Sequence, residues 1–375
     1  MAYPYTETGY NMFDMLSMIQ KAIRRGDYEL AGFAAYQLKG SFRTTMWNRL
    51  FVISAEDCFG VLTKELVALR EQDEKDHSDT NLANVVALMC SSKKSRDACY
   101  FACNFILDSR KPRKLTFDHE AINEFSNRFG IEGETVASKK YDSFGFAQMS
   151  IFDSSDESEK EEPSELCLNA MTLQKAFLHR DMDMIGYSMD MLRRGNRDLL
   201  WNVMLDYAVM YATDIVEEID ALRIADEIVN RRKKDLEKDE IFISKAAVLL
   251  CHRNDSRFPA VESGPHVQLD RCIEWSDVQV KPIAECSLKN GIIPDWVYDC
   301  HTLKGRKMGK TDWDMTTTEQ NALYPKQPAY FDEASWIYTY EQDFRNGSIS
   351  EAGIRPIREY AKTHEANPVP FIPYE

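Results

Sequence analysis

The segments 18-MIQKAIRRGDYELAGFAAYQLKGSFRTTMWNRL-50 and 172-TLQKAFLHRDMDMIGYSMDMLRRGNRDLLWNVM-204 align without a gap at an offset of 154 residues. Gln20, Lys21, Ala22, Asp27, Gly32, Leu38, Arg43, Trp47 and Asn48 meet Gln174, Lys175, Ala176, Asp181, Gly186, Leu192, Arg197, Trp201 and Asn202. Tryptophan is rare, so a tryptophan pair in register points to duplication rather than shared composition. The similarity resumes where 82-LANVVALMCSSKKSR-96 resembles 243-ISKAAVLLCHRNDSR-257. Internal repetition decides a fold before local patterns do, and here it indicates two copies of one helical unit.

Each copy reads as three helices joined by turns. In the first, Met15, Met18, Ile19, Ala22 and Ile23 recur at helical spacing and stop before Gly26, a residue suited to a helix C-terminal cap. Asp27 is placed to cap the next helix, whose apolar face is Leu30, Phe33, Ala34 and Leu38. Lys39-Gly40-Ser41 ends that helix, and 45-TMWNRLFVISAEDCFG-60 forms the third. Gly32 and Gly186 fall inside second helices, where glycine costs about 1 kcal/mol against alanine; close approach of another helix is expected there. Trp47 and Trp201 are expected to anchor the cores. Lys21/Lys175, Arg43/Arg197 and Asn48/Asn202 are the polar matches, readable as ion-paired structure or as a repeated contact surface.

The expected architecture is therefore mainly all-α. Residues 1–130 form the first helical repeat, 131–165 an acidic linker, 166–257 the second repeat, and 258–375 a more irregular segment packed on both. The linker rests on 151-IFDSSDESEKEEPSEL-166, with seven carboxylates and one lysine from Asp153 to Glu165, a run that repels itself and offers little to a core. Within the last segment, helices are predicted at 314–325 and 333–344, and the prolines of the closing PVPFIPYE resist helix.

At 375 residues, 44% hydrophobic and 29% charged, the chain has the composition of a globular protein large enough for two or three cores. A net charge of −15 argues against a nucleic-acid-binding coat but not against local basic patches. The N-terminal stretch has no basic region followed by an apolar run, and no segment reaches the roughly 18 apolar residues of a membrane span, so a cytoplasmic protein is expected. The nine cysteines include no Cys-x-x-Cys pair and read as reduced core residues. Cys251-His252 and Cys300-His301 are chain neighbours that point about 100° apart on a helix, poor joint metal ligands.

The Gly-Lys-Thr of 304-KGRKMGKT-311 ends like a phosphate-binding loop, but the required first glycine would be residue 304, which is lysine; Gly305 comes one residue late. A basic exposed turn is expected instead, and no cofactor.

The first copy resembles a known family. The pattern 18-MIQKAIRRGDYELAGFAAYQLKG-40, then 47-WNRLFVISAEDCFG-60, then 87-ALMCSSKKSRDACYFA-102 is similar to the C-terminal region of the replication-associated recombination protein A (MgsA) family, AAA+ ATPases related to clamp loaders. The second copy departs from it, with 208-AVMYATD-214 in place of the Glu-Asp-x-x-Gly helix end and 250-LCHRNDSR-257 keeping little of the Lys-Ser element. In the family an ATPase module precedes this region, whereas here only a short stretch precedes the first helix. The resemblance implies the oligomerising, DNA- or partner-contacting collar without the motor, a setting in replication, repair or recombination, and a phage or mobile-element origin. The duplication itself raises the expectation that two fused copies replace a contact between subunits, giving a monomer or a dimeric homo-oligomer where a single-copy relative forms larger rings.

Three functions follow as expectations. The first is a non-enzymatic module that binds DNA or a replication or recombination protein. Its candidate contacts are Lys93, Lys94 and Arg96, the run 110-RKPRK-114, and Lys304, Arg306, Lys307 and Lys310, since basic turns bind phosphates by charge. The second is an adaptor or inhibitor of a host or cognate AAA+ ATPase, which the acidic balance favours. The third is a metal-dependent nuclease or hydrolase built on Asp299 and His301, although no second ligand cluster and no catalytic motif accompany them.

Overall fold

A computed structural model describes residues 4–58, 62–92, 94–107, 109, 115–131, 141–142, 163–234, 238–251, 280–310, 337, 340–341, 343–344 and 347–363. The described chain is mainly helical, with one two-stranded antiparallel ribbon pairing Thr116–Phe117 with Tyr141–Asp142. The helices predicted at 314–325 and 333–344, most of the acidic run and the closing prolines lie outside the described residues, apart from a few positions.

The first copy contains α1 (Met12–Arg25), α2 (Tyr28–Leu38), α3 (Arg43–Asp57), α4 (Leu62–Asp76), α5 (Asp79–Ser91) and α6 (Asp97–Phe101), the last running into a π-helical turn, Ala102–Leu107. A helix α7 (His119–Phe129) follows. The second copy contains α8 (Glu165–His179), α9 (Met182–Gly195), α10 (Arg197–Tyr211), α11 (Val216–Asn230) and α12 (Ile241–Cys251).

Local chemistry sets the boundaries. Asn11 caps α1 by accepting from Phe13 and Asp14 N–H, and Gly26 closes it at φ 66°. The counterpart of Gly26 is Arg180, which takes the same left-handed turn at φ 51°. Asp27 and Asp181 then cap α2 and α9 through Leu30 and Met184 N–H, at 3.1 and 3.2 Å. Each satisfies one of the free donors at a helix start.

The duplication extends into the polar interior. Arg43 clamps Asp73 with two donors, and Trp47 Nε1 donates to the same carboxylate at 2.7 Å. In the second copy Arg197 clamps Asp226 with bonds of 2.7 and 2.8 Å, and Trp201 Nε1 donates at 2.7 Å. The tryptophans are core anchors as expected, 0% and 3% exposed, but each also satisfies a buried acid. The matched arginines Arg43 and Arg197 form internal ion pairs, not a repeated surface.

The two copies do not have separate cores. One continuous apolar cluster runs through both, and α12 packs against α3 and α6 of the first copy. Counterpart helices α4 and α11 also touch: Glu218 accepts from Thr63 and Lys64 N–H at 3.1 and 2.9 Å, and Lys64 Nζ meets Glu217 at 2.6 Å. Close packing explains the two helix glycines. A Cβ on Gly186 would lie 2.0 Å from Phe105 O in the π turn, and one on Gly32 would lie 2.6 Å from Cys286 Sγ. The first neighbour is helical backbone, as expected; the second is a side chain beside a 3-10 turn.

The C-terminal segment was expected to wrap both repeats. Its described part lies along the first copy: the 3-10 turn Ile283–Glu285 packs on α2 and α5, and the turn Asp295–Val297 on α1. It continues into α13 (Leu303–Lys307), while α14 (Glu351–Thr363) carries a bidentate pair from Arg358 to Glu341. No helix among the described residues is long and apolar enough to cross a membrane.

Candidate functional site: a basic cleft

Helix α1, the α6–π junction and α13 enclose a cleft of about 1230 Å³. It is lined by seven cationic side chains and three carboxylates, in a chain whose net charge is −15. Four of the cations form the floor and three the rim.

The floor is a buried ionic network. Asp57, at the end of α3, binds Arg24 Nε at 2.7 Å and Arg96 Nη1 at 3.0 Å. Glu56 takes a second bond from Arg96 Nη1 at 2.9 Å, and Gln20 bridges both carboxylates. Arg49 reaches Gln20 Oε1 at 3.3 Å. Burial pushes the Asp57 carboxyl up, but the two guanidinium groups outweigh it and hold the acid below its ordinary value. Burial likewise opposes the charge of Arg96, and Glu56 and Asp57 reverse that effect and raise it. The fourth floor cation, Lys21, pairs with Asp299 at 2.7 Å and donates to Val297 O. The C-terminal segment is thereby tied to α1.

The rim is α13. Thr302 caps it by accepting from Gly305 N–H at 3.0 Å, and Lys304, Arg306 and Lys307 are exposed. Arg306 Nη1 donates to Cys300 and His301 carbonyls at 3.1 and 3.3 Å, and Lys304 sits over the Tyr298 ring at 4.0 Å. Gly305 does not cradle a phosphate: a Cβ there would meet Asp299 O at 2.0 Å, so the glycine allows the chain to fold over α13. The sequence reads as a basic exposed turn; the structure has a short basic helix, Leu303–Lys307, with its three cations exposed.

The fold thus brings Arg96, Lys304, Arg306 and Lys307 to one cleft, although they lie 200 residues apart in sequence. The other candidates fall elsewhere. Lys94 is 2% exposed, and its ammonium donates to Met89, Cys90 and Ser92 carbonyls at the end of α5. It is a helix cap with no face toward a phosphate, correcting its expected role. Arg96 is only 3% exposed, so it acts through the floor rather than as an open surface contact. Lys310 pairs with Asp295 at 2.9 Å outside the cleft lining. Lys93 and 110–114 lie outside the described residues.

Asp299 and His301 do line the cleft. Burial raises the Asp299 carboxyl, but Lys21 and the His301 N–H outweigh it and keep the acid ionised below its ordinary range. A carboxylate held this way is a poor general base. No group of three or more His, Cys, Asp or Glu among the described residues could hold a metal ion.

Sequence reading did not place Lys21, Arg24 and Arg49 in a site. A signal was present: 24-RR-25, 56-ED-57 and 94-KSR-96 are the polar parts of the three stretches that carried the family resemblance, and Arg24, Glu56, Asp57 and Arg96 converge. Arg24, Glu56 and Asp57 are replaced by Leu178, Met210 and Tyr211 in the second copy, which cannot form such a network. The cysteine reading also needs correction. Cys58, Cys90, Cys167, Cys251 and Cys286 are buried, but Cys103 is exposed and, with half-buried Cys99, lines the cleft.

Comparison with family models, with curated proteins and with solved structures found no match for this chain.

Proposed function

We propose that this protein is a non-enzymatic helical module that binds the phosphate backbone of DNA in the cleft between α1 and α13, in replication, repair or recombination. The observation that supports this reading most is the concentration of seven cations against three carboxylates in one cleft of an acidic chain. Such a cleft focuses positive potential toward a polyanion, while the acidic remainder disfavours indiscriminate contact. The floor cations are already paired and fix the shape of the cleft. The rim cations carry exposed donors and make the phosphate contacts. The replication setting rests on the resemblance of the first copy to the collar of the MgsA family.

Fluorescence anisotropy of single-stranded, duplex and forked DNA, titrated with the protein at low and physiological salt, tests the proposal. Affinity should fall steeply with salt, and Arg306→Ala/Lys307→Ala should weaken binding and flatten the dependence of log K on log salt by about two, one for each lost phosphate contact. No binding at low salt would overturn the DNA reading. It would favour instead an adaptor acting on a partner ATPase, the alternative that the net charge supports.

A further inference from the structure

The two copies of the Arg–Asp–Trp cluster differ in how the outer donors of the arginine are met. In the first, Arg43 Nη1 donates to Lys39 O at 3.4 Å and Nη2 to Ser78 O at 3.0 Å. In the second, Arg197 Nη2 finds the matching carbonyl, Asp239 O, at 2.7 Å, but Nη1 is buried with no hydrogen-bond partner among the described residues. A buried charged donor left unmet is costly, and a ligand acceptor beside it would remove that cost.

A cavity of about 300 Å³ adjoins this arginine. Arg197, Arg223, Arg231, Lys233 and Lys238 line it, together with three carboxylates. One of these, Asp226, is already held by Arg197, Trp201 and Asn230. The cations come from a sequence change between the copies. The connection between α11 and α12 spans residues 231–240, whereas only residues 77–78 join α4 to α5, and the longer connection opens with 231-RRKK-234. Residues 231–234 are exposed, so packing does not account for four consecutive cations.

We propose that this cavity binds a phosphoryl anion, either inorganic phosphate or the phosphate of a small phosphomonoester. Arg197, locked by Asp226 and the Asp239 carbonyl, is a preorganised guanidinium at the base, suited to a tetrahedral oxyanion. Arg231 and Lys233 close on the anion from the mouth. The volume is at the small end of ligand sites, with room for a phosphate and a short organic stem. This site is separate from the cleft at α13, and its existence does not depend on DNA binding there.

Isothermal titration of the full chain with inorganic phosphate, and separately with glycerol 1-phosphate, at constant ionic strength tests the proposal, with chloride as the control. Saturable binding at one site is expected. It should weaken about tenfold or more in Arg231→Ala/Lys233→Ala, whose exposed positions leave the core intact, and persist in Arg306→Ala/Lys307→Ala. Tighter binding of the free ion identifies inorganic phosphate as the ligand, and tighter binding of the ester identifies a phosphomonoester. Absence of saturable heat with both, or equal affinity in the Arg231→Ala/Lys233→Ala variant, would overturn the assignment.

Discussion

Cys103 shows how strongly one cleft side chain is shaped by its neighbours. A hydrogen bond from Cys99 lowers its thiol to about 6, burial opposes this, and the charge of Arg96 assists it. The donor's own thiol is raised in turn, and Arg96 Nη2 lies 3.1 Å from Cys99 Sγ. Cys103 should therefore be largely thiolate at pH 7, the nucleophilic form. Alkylation by iodoacetamide is expected first at Cys103, with a rate nearly flat from pH 7 to 9, where an unperturbed thiol would accelerate steeply. Cys99→Ala should restore the steep dependence, and peptide mass spectrometry follows both. Uniform labelling of all cysteines, or a steep profile in the unaltered protein, would refute this. The spacing of Cys99 and Cys103 places them on one helix face, a pattern visible in sequence; which face is open to the cleft depends on α13, contributed from 200 residues away.

At the scale of elements, the repeat exposes the duplicated helices and its own limits. The match of Trp47 with Trp201 and Arg43 with Arg197 was legible, but the acids that unite them were not, because Asp73 and Asp226 lie at an offset of 153 beyond a one-residue shift. The stretches 68-ALREQDE-74 and 221-ALRIADE-227 contain that signal. The helix glycines behave similarly: their presence predicts close contact, but the contacting groups come from distant chain. Those groups differ in stiffness, and so should the cost of filling the space. Gly186→Ala must displace the backbone at Phe105 and should destabilise by about 2–4 kcal/mol despite better helix propensity. Gly32→Ala meets the Cys286 side chain, which can rotate, so its cost should be smaller. Urea unfolding of both variants checks the order; equal losses would show that the Phe105 contact yields as easily as a side chain.

The whole molecule is joined across its copies by a buried acid. Glu218 of α11 caps the start of α4, and burial pushes its carboxyl up to about 7, against the partial relief of the Lys64 and Thr63 N–H groups. The folded protein therefore keeps a proton between about pH 4.5 and 7 that the unfolded chain has released. Stability from this group is fully present below that window, falls as pH rises through it, and is constant above it. The total is of order 3 kcal/mol for a shift of this size. Asp57 acts oppositely, but its lowered value places its contribution in the more acid range, below this window, and the lowered Cys103 thiol adds stability as pH rises above about 6. Glu218→Gln keeps one acceptor for α4 and removes the titration. Urea unfolding from pH 4.5 to 6, below the range in which Cys103 titrates, should show the unaltered protein losing stability as pH rises, with the loss largely abolished in the variant. Because Glu218 lies between copies that share one core, both proteins should still unfold in a single transition. Equal pH slopes would remove Glu218 as the source, and two transitions would mean that the copies are held together by less than their continuous core implies.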